Sequence, residues 1–259
     1  MAAPYRNGFT ALAAAMLGPL LLWPDHSGGG GGGPDPDPDF RSAREALVRE
    51  VERQVVRTRQ ALGTDRLKPA VIQAIGAVHR HAFVPPALQY QAYYDAPLPI
   101  GEGQTISQPY VVAVMSHLLD VEAGARVFEL GTGSGYQAAV LAEMGVDVYS
   151  VEIVPELAER AASTLARLGY DRVQVRAGDG YLGWPEAAPF DGIIVTAGAD
   201  HVPGPLLEQL AIGGRLVMPV GDHGRVQQLV TIEKRADGST LRREILPVRF
   251  VPVTGEHVQ

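Results

Sequence analysis

Short apolar runs alternate with helical patterns from residue 126 onward, and this alternation constrains the fold more than any other feature. The apolar runs lie at 126–130, 146–151, 173–177, 192–197 and 215–220. Helical patterns lie between them, at about 134–144, 155–168 and 203–211. Apolar strands joined by helical crossovers predict an α/β fold, in which helices cover both faces of a mostly parallel sheet.

The last part of the chain follows a different pattern. Two longer β runs, 226–235 and 240–253, flank the dipeptide Asp237-Gly238, which is favoured in tight hairpin turns. We therefore expect a C-terminal antiparallel hairpin to extend the parallel sheet.

The first 39 residues differ from the rest in composition. Residues 9–23 are uncharged and mostly apolar, six glycines occupy 28–33, and PDPDPD occupies 34–39. The apolar stretch is shorter than the about 20 residues that a membrane span needs. The glycines predict a flexible linker, and the Pro-Asp repeats predict a stiffer one. We expect residues 1–39 to be disordered and to lie outside the folded domain.

The folded domain is expected to span residues 40–259. Its first part, 40–125, is predicted to be helical and to lie on the substrate side, with helices over 41–62 and about 68–79. Its second part, 126–259, is predicted to form a cofactor-binding sheet and the hairpin.

Charge and composition exclude several kinds of site. The chain has a formal net charge of −7 and a pI near 5.5, which matches poorly with the phosphates of nucleic acid. It contains no cysteine, so disulfides, thiolate zinc sites and cysteine nucleophiles are excluded. Its seven histidines show no metal-binding spacing such as HExxH. We expect neither a nucleic acid partner nor a metal.

The stretch VFELGTGSGYQAAVL, residues 127–141, follows a predicted strand and opens a helix. Its glycines let a ligand approach the backbone and the N-terminus of that helix. A dinucleotide fingerprint requires G-x-G-x-x-G, but Tyr136 occupies the sixth position. The carboxylate of Glu129 would also repel a pyrophosphate, whereas it would attract a cationic ligand.

Two further acidic residues follow the next two predicted strands. Glu152 is placed to accept hydrogen bonds from a ribose diol, and Asp179, in GDGYLGW, can accept an adenine amino proton. Ligands bind at the carboxyl ends of the strands in open α/β sheets, so both residues are expected in one site. Together with the glycine-rich turn they describe S-adenosylmethionine, a cationic adenine nucleoside without phosphates.

The stretch GQTISQPYVVAVM, residues 103–115, allows two interpretations. Ser107 is placed to cap a helix whose first turn contains Pro109. Alternatively, the Ser107 hydroxyl faces a substrate. Taken by itself, the stretch favours the cap.

Several motifs, in order along the chain, resemble the protein-L-isoaspartate O-methyltransferase family. They are LPIGEGQTISQPYVVA, ELGTGSGYQ, SVE, GDG, APFDGIIVTAGA, GGRLVMPVG and VRFVPVTG. Motifs within the sheet are shared by many methyltransferases, whereas GQTISQP and VRFVPV are more specific to this family. The resemblance implies a Rossmann-like S-adenosylmethionine-dependent methyltransferase fold. It also implies methyl transfer to the free α-carboxylate of L-isoaspartyl residues in damaged proteins, with activity on D-aspartyl residues left open.

The resemblance also implies roles for individual residues. Ser107 is expected to be the catalytic residue, and we expect it to orient the attacking carboxylate and not to act as a nucleophile. The residues expected to bind the cofactor are Gln104, Thr105, Ile106, Ser107, Glu129, Gly131, Gly133, Glu152, Asp179, Gly180 and Thr254. Those expected to bind the substrate are Ser107, Val195, Thr196, Ala197, Gly198 and Ala199. Main-chain N–H groups near 195–199 are expected to pair with an extended peptide.

Two positions depart from the family pattern. Gly198 stands where alanine is usual, and DHVP at 200–203 replaces a commoner segment that contains Pro and Glu. The peptide preference is therefore open. A methyltransferase for a small molecule or RNA is the alternative, because it would share the sheet motifs without requiring GQTISQP.

The expected location follows from the cofactor. S-adenosylmethionine is made and held inside cells, so we expect a cytoplasmic protein, with export through residues 9–23 as the alternative. We also expect a monomer without stable membrane association.

Overall fold

The computed structural model describes residues 40–222, 225–253 and 255, which belong to one unit that begins at Asp39. The apolar stretch 9–23 and the linker 28–39 lie outside the described residues, as does Thr254.

The N-terminal part is mainly helical. It contains α1 (Arg41–Leu62), α2 (Pro69–Ala77), two short 3-10 helices (Arg80–Phe83 and Pro86–Gln91), the strands β1 (Leu98–Gly101) and β2 (Gln104–Ile106), and α3 (Pro109–Leu119). The predicted helices over 41–62 and 68–79 are confirmed. The glycine-rich stretch between Leu98 and Ile106 forms an antiparallel hairpin that the sequence analysis did not predict.

The second part forms a seven-stranded sheet. Its elements are β3 (Arg126–Leu130), α4 (Tyr136–Glu143), β4 (Asp147–Glu152), α5 (Pro155–Arg167), β5 (Val173–Ala177), β6 (Phe190–Val195), α6 (Gly204–Gln209), β7 (Leu210–Val220), β8 (Gln227–Lys234) and β9 (Thr240–Val248). The strand order is β5-β4-β3-β6-β7-β8-β9. The first five of these run parallel, and β8 and β9 pair antiparallel at one edge. The predicted fold class is confirmed.

The central strands are buried on both faces, as their continuous apolar runs predict. Successive residues of β6 point to opposite faces, because side chains alternate along a strand. Ile194 packs in a core cluster with α1, α2, α3 and α4, whereas Ile193 and Val195 pack in a second cluster with Leu206 and Met218. The sheet is therefore fixed between two hydrophobic layers, and its strand ends are held rigidly.

The predicted β run over 240–253 is too long. Strand β9 ends at Val248, and the chain then leaves the hairpin and runs beside the end of β6. The Gly198 N–H donates to the Val251 carbonyl at 2.8 Å, and the Val253 N–H donates to the Gly198 carbonyl at 2.8 Å. This return brings residues 249–253 to the carboxyl edge of the parallel strands.

None of the helices formed by residues 40 and beyond, within the described ranges, is long and apolar enough to cross a membrane.

Candidate active site

A cleft of about 760 Å³, including its open mouth, lies at the carboxyl ends of the parallel strands. Its walls come from β2, the glycine-rich turn after β3, the end of β4, the loop after β5, and residues 251–253. The predicted cofactor residues that line it are Gln104, Thr105, Ile106, Ser107, Gly131, Gly133, Glu152, Asp179 and Gly180. The structure therefore brings these nine residues together.

The glycine-rich turn needs glycine for two reasons. Gly131 has φ 95°, a conformation that side chains disfavour, and a Cβ there would lie 2.7 Å from Thr196 Oγ1. Gly135 has φ 88° at the N-cap of α4, and a Cβ there would lie 3.2 Å from Leu165 Cδ1. The turn can therefore lie against both β6 and α5, which leaves its backbone facing the cleft.

Glu152 connects the turn to the end of β4. Its Oε2 accepts the Gly133 N–H at 2.7 Å, and its Oε1 accepts the Val154 N–H at 3.0 Å. A carboxylate offers about four acceptor positions, so each oxygen keeps one for a ligand donor. This geometry suits the predicted hydrogen bonds to a ribose diol.

Asp179 and Gly180 form the third part of the cleft. Asp179 Oδ1 accepts the Tyr181 N–H at 2.9 Å and caps the 3-10 helix Gly180–Leu182. Gly180 is buried, and a Cβ there would lie 2.7 Å from Leu130 Cγ. The loop therefore packs directly on the end of β3, and Asp179 lines the cleft.

Glu129 lies behind the cleft and does not line it. The side chain is fully buried, its Oε2 accepts the Ser150 hydroxyl at 2.5 Å, and its Oε1 has no partner among the described residues. Burial raises the pKa of the Glu129 carboxyl to about 8, and the nearby Glu152 adds to that effect. Direct attraction of a cation by Glu129 therefore stays a prediction.

The polar side chains of the cleft suit a nucleoside without phosphates. Two carboxylates, Glu152 and Asp179, line it, whereas neither Lys nor Arg occurs among its lining residues. A pyrophosphate would lack a cationic partner there, and hydroxyl and amino donors would find acceptors. S-adenosylmethionine therefore fits the residues present.

Ser107 does not cap the helix that follows it, so the interpretation that the stretch alone favoured is wrong. Helix α3 begins at Pro109, its N-cap residue is Gln108, and the Gln108 side chain makes no capping hydrogen bond. The Tyr110 N–H in the first turn donates instead to Asp95 Oδ1 at 2.7 Å. A carboxylate from a distant loop thus takes the capping role, and Ser107 lies just outside the helix.

Asp95 was missed by the sequence analysis. It is half-buried, and burial raises the pKa of its carboxyl, while hydrogen bonds from Gln108 and the Tyr110 backbone oppose that rise. A capping carboxylate that lies 15 positions before the N–H group it accepts leaves no local sequence signal.

A second cleft, of about 1090 Å³, adjoins the first. It is lined by Gln54, Pro97, Thr105, Ser107, Gln108, Tyr110, Val111, Thr196, Val226, Leu246, Pro247, Val248, Arg249, Phe250 and Val251. Four residues line both clefts, namely Thr105, Ser107, Thr196 and Val251. A group held in the second cleft can therefore meet a cofactor held in the first beside the Ser107 hydroxyl.

Backbone N–H groups of residues 196, 198 and 199 bond within the chain, and this conflicts with their predicted role in peptide binding. The N–H groups of Thr196, Gly198 and Ala199 donate to the carbonyls of Leu130, Val251 and Pro219, at 2.9, 2.8 and 3.2 Å. The prediction that these three N–H groups pair with a peptide is therefore wrong, because they are already bonded within the chain. Val195 is buried in β6, and Ala197 lines the first cleft beside Thr196.

The departure at Gly198 has a steric reason. A Cβ at this position would lie 2.8 Å from Gln227 Nε2. The buried Gln227 side chain accepts the Phe250 N–H at 2.9 Å and donates to the Phe250 carbonyl at 3.3 Å. Glycine thus makes room for the amide that holds residues 249–253 over the clefts.

The described ranges contain no group of three His, Asp or Glu side chains arranged to hold a metal ion.

Comparison with known sequences identifies relatives over most of the chain. Residues 50–258 match the family model described as protein-L-isoaspartate(D-aspartate) O-methyltransferase. A protein-L-isoaspartate O-methyltransferase 2 from Syntrophobacter fumaroxidans is 57% identical over 216 residues, which are 83% of this chain and 87% of that protein. A protein-L-isoaspartate O-methyltransferase from Gloeobacter violaceus is 56% identical over 190 residues, covering 73% of this chain and 92% of that protein.

Solved structures agree with these sequences. A protein-L-isoaspartate O-methyltransferase superposes with a TM-score of 0.71 at 30% identity, over 82% of this chain and 66% of that chain. A Plasmodium falciparum β-aspartate methyltransferase, solved with S-adenosyl-L-homocysteine, gives a TM-score of 0.66 at 24% identity, over 84% of this chain and 99% of that chain. The second likeness concerns the fold alone. On the family match and the sequence identities, this chain belongs to the protein-L-isoaspartate(D-aspartate) O-methyltransferase family.

Proposed function

We propose that the chain transfers the methyl group of S-adenosylmethionine to the free α-carboxylate of L-isoaspartyl residues in damaged proteins and peptides. The observation that carries this proposal is the junction of the two clefts at Ser107 and Thr196. A cleft with acidic acceptors meets a larger cleft at a serine hydroxyl. Family membership supports the same reaction.

The first cleft holds the cofactor through backbone groups and two carboxylates. Glu152 accepts hydrogen bonds from the ribose hydroxyls, and Asp179 accepts one from the adenine amino group. The backbone at Gly131, Gly133 and Gly180 lies against the ligand, and the hairpin residues Gln104, Thr105 and Ile106 close over it. We assign supporting roles to Glu129, which lies behind the turn, and to Thr254.

The reaction requires little acid–base catalysis by the protein. An α-carboxylate has an ordinary pKa near 3.5, so it is ionised at neutral pH and needs no general base. Bound S-adenosylmethionine supplies a sulfonium methyl group that is already activated. One carboxylate oxygen forms the new bond to the methyl carbon as the bond from sulfur breaks, and the sulfur keeps that electron pair.

The contribution of Ser107 is alignment. Its hydroxyl donates a hydrogen bond to the carboxylate and holds one oxygen in line with the methyl group. Good alignment of two reactants can remove about 7–11 kcal/mol from a barrier. Thr196 lines both clefts, and Ala197 lines the first cleft beside it. Thr196 Oγ1 is itself fixed by donating to the Leu130 carbonyl at 3.0 Å.

Repair follows from the ester. A methyl ester carries a better leaving group than the carboxylate, so the neighbouring backbone nitrogen closes a succinimide without further catalysis. Hydrolysis of that ring returns part of the material to normal aspartyl linkages.

We propose further that the protein acts in the cytoplasm, because its co-substrate is made and held there. We also propose that it acts as a monomer. We assign the activity to residues 40–259, with no nucleic acid partner. Deletion of residues 1–39 is expected to leave kcat and both KM values unchanged.

The test compares two peptides that differ only in one linkage. An isoaspartyl peptide and its aspartyl twin are incubated with methyl-labelled S-adenosylmethionine, and base-labile methyl ester is counted. We expect labelling of the isoaspartyl peptide alone. Equal labelling of both peptides would overturn the proposed selectivity for isoaspartyl linkages. Labelling of neither peptide would overturn the proposal and favour a methyltransferase for a small molecule or RNA.

A further inference from the structure

The Asp95 carboxylate holds three residues that line the second cleft, namely Gln54, Gln108 and Tyr110. Asp95 Oδ2 accepts hydrogen bonds from the Nε2 groups of Gln54 in α1 and Gln108, the latter at 2.8 Å. Its Oδ1 accepts the Tyr110 N–H at 2.7 Å. An ionised carboxylate only accepts hydrogen bonds, so it dictates which amide atom each glutamine turns towards it.

The orientation of the two amides has a consequence for the cleft. Since each glutamine presents its Nε2 to Asp95, its carbonyl oxygen Oε1 is the atom left for other partners. Within the described ranges, no donor of the chain bonds to either Oε1. Gln54 and Gln108 both line the second cleft, and Gln108 directly follows Ser107.

We propose that Gln54 and Gln108 recognise the main chain of the substrate, with their Oε1 atoms accepting hydrogen bonds from its peptide N–H groups. Asp95 is the positioning residue that keeps both oxygens turned towards the cleft. The inference rests on the proposed function, because it takes the occupant of the second cleft to be a peptide.

This recognition suits a repair enzyme. Damage occurs in many sequences, and main-chain N–H groups are common to all of them except at proline. Contacts to these groups hold the chain on both sides of the reacting carboxylate without reading side chains. The glutamines thus take the part that the sequence assigned to the backbone of 195–199, whose N–H groups at Thr196, Gly198 and Ala199 are bonded elsewhere.

The sharpest test inverts the hydrogen-bond pattern without changing its shape. Asp95→Asn keeps a carbonyl oxygen for the Tyr110 N–H but replaces the second acceptor with a donor. Gln54 and Gln108 must then turn their Oε1 atoms towards the introduced amide and their NH2 groups towards the cleft. These NH2 donors would face the N–H donors of the substrate. We expect KM for an isoaspartyl peptide to rise more than tenfold, with a smaller change in kcat and an unchanged Kd for S-adenosylhomocysteine.

A second substitution is expected to rescue the first. In Asp95→Asn/Gln108→Glu, the introduced carboxylate accepts from the asparagine amide and still offers an oxygen to the cleft. The total charge equals that of the parent. We expect the double variant to recover at least half of the increase in log Kd for the peptide that Asp95→Asn causes. A merely structural role for Asp95 would not produce this recovery.

A third variant keeps the test valid if Asp95→Asn folds poorly. Gln108→Leu removes the acceptor, and we expect about a fivefold rise in peptide KM, the value of one neutral hydrogen bond. Peptides with single N-methyl groups provide the matching change in the ligand. The N-methyl position that weakens binding to the parent should have little effect on Gln108→Leu. Gln60→Leu, at an exposed position of α1 outside the clefts, is the control and should bind like the parent.

The outcomes separate the two proposals. Peptide Kd is measured by fluorescence anisotropy with S-adenosylhomocysteine present, beside methylation kinetics and thermal unfolding. If the parent does not methylate the isoaspartyl peptide, the proposed function fails. If the parent is active but Gln108→Leu keeps both the parent Kd and the parent penalty for N-methylation, this inference alone is overturned.

Discussion

The two clefts that meet at Ser107 are assembled in different ways. The cofactor cleft takes its polar groups from the ends of neighbouring strands, where backbone hydrogen bonds fix Glu152 and Asp179. The second cleft takes its walls from α1, the loop before β1, the corner at 105–111 and the return after β9. Its polar groups are fixed by side chains, chiefly Asp95 and Gln227.

The difference predicts how each cleft responds to change. Backbone-fixed groups belong to the rigid sheet, so substitutions there should alter ligand affinity and leave the shape of the site intact. Side-chain networks join segments that are otherwise independent, so substitutions there that change the size of a side chain should move whole segments. Four substitutions test this contrast, beginning with Ser107, one of the four residues that line both clefts.

Ser107→Gly should have the largest effect. Loss of a single positioned donor typically lowers kcat by about 10²–10³, and we expect at least a hundredfold loss on an isoaspartyl peptide. Asp95 caps α3, so the melting temperature and S-adenosylhomocysteine affinity should stay near those of the parent. Single-turnover kinetics and calorimetry measure these quantities. A glycine variant as active as the parent would remove Ser107 from the mechanism.

Glu152→Ala should weaken cofactor binding by about 1.5–3 kcal/mol, the usual loss for hydrogen bonds to a charged acceptor. Isothermal titration with S-adenosylhomocysteine gives the Kd directly. Peptide KM at saturating cofactor should change little, because Glu152 lines the first cleft and not the second. Glu156→Ala, exposed in the first turn of α5, is the matched control. An unchanged Kd in Glu152→Ala would refute the ribose assignment.

Gly198→Ala should destabilise the fold by about 2 kcal/mol, since overpacking usually costs about 1–3 kcal/mol. The added methyl would displace Gln227 from Phe250 and loosen residues 249–253. We expect a lower melting temperature together with a raised peptide KM. Gly204→Ala, where a Cβ would meet open space, is the control. Equal stability of the two variants would contradict the steric account.

Glu129→Gln should change the pH dependence of stability. Burial raises the pKa of Glu129 to about 8, so the folded protein keeps a proton that the unfolded chain loses near pH 4.5. This carboxyl therefore makes stability fall by up to about 1.4 kcal/mol per pH unit as pH rises from 4.5 to 8. Glutamine cannot ionise, so the variant should gain stability relative to the parent over that range. Denaturant unfolding at pH 5.5, 6.5 and 7.5 measures the free energy of unfolding of the parent and the variant. If the two free energies change equally with pH, the raised pKa of Glu129 is ruled out.

The contrast between the clefts also explains what the sequence could reveal. Glu152 and Asp179 were predictable because each lies at the carboxyl end of a predicted strand, and parallel strands end at one edge. The Asp95 network was not predictable, because its hydrogen bonds join residues 13 to 41 positions apart with no periodic signal. The hairpin from Leu98 to Ile106 did leave a signal, since Leu98 and Ile100 alternate with exposed residues. The early end of β9 depends on Gln227 holding Phe250, a contact that β propensity does not encode.

Residues that line the second cleft are far apart in the sequence, and this has a consequence for protein synthesis. Gln54 and Phe250 line the same cleft but are about 200 residues apart in the chain. At about 5–20 residues per second, a ribosome needs roughly 10–40 s to add the later residue after the earlier one. The cofactor cleft also receives one of its walls late, because residues 251–253 line it. Both clefts therefore stay incomplete until residues 249–253 have been added, so methyl transfer is the last capacity that the growing polypeptide gains.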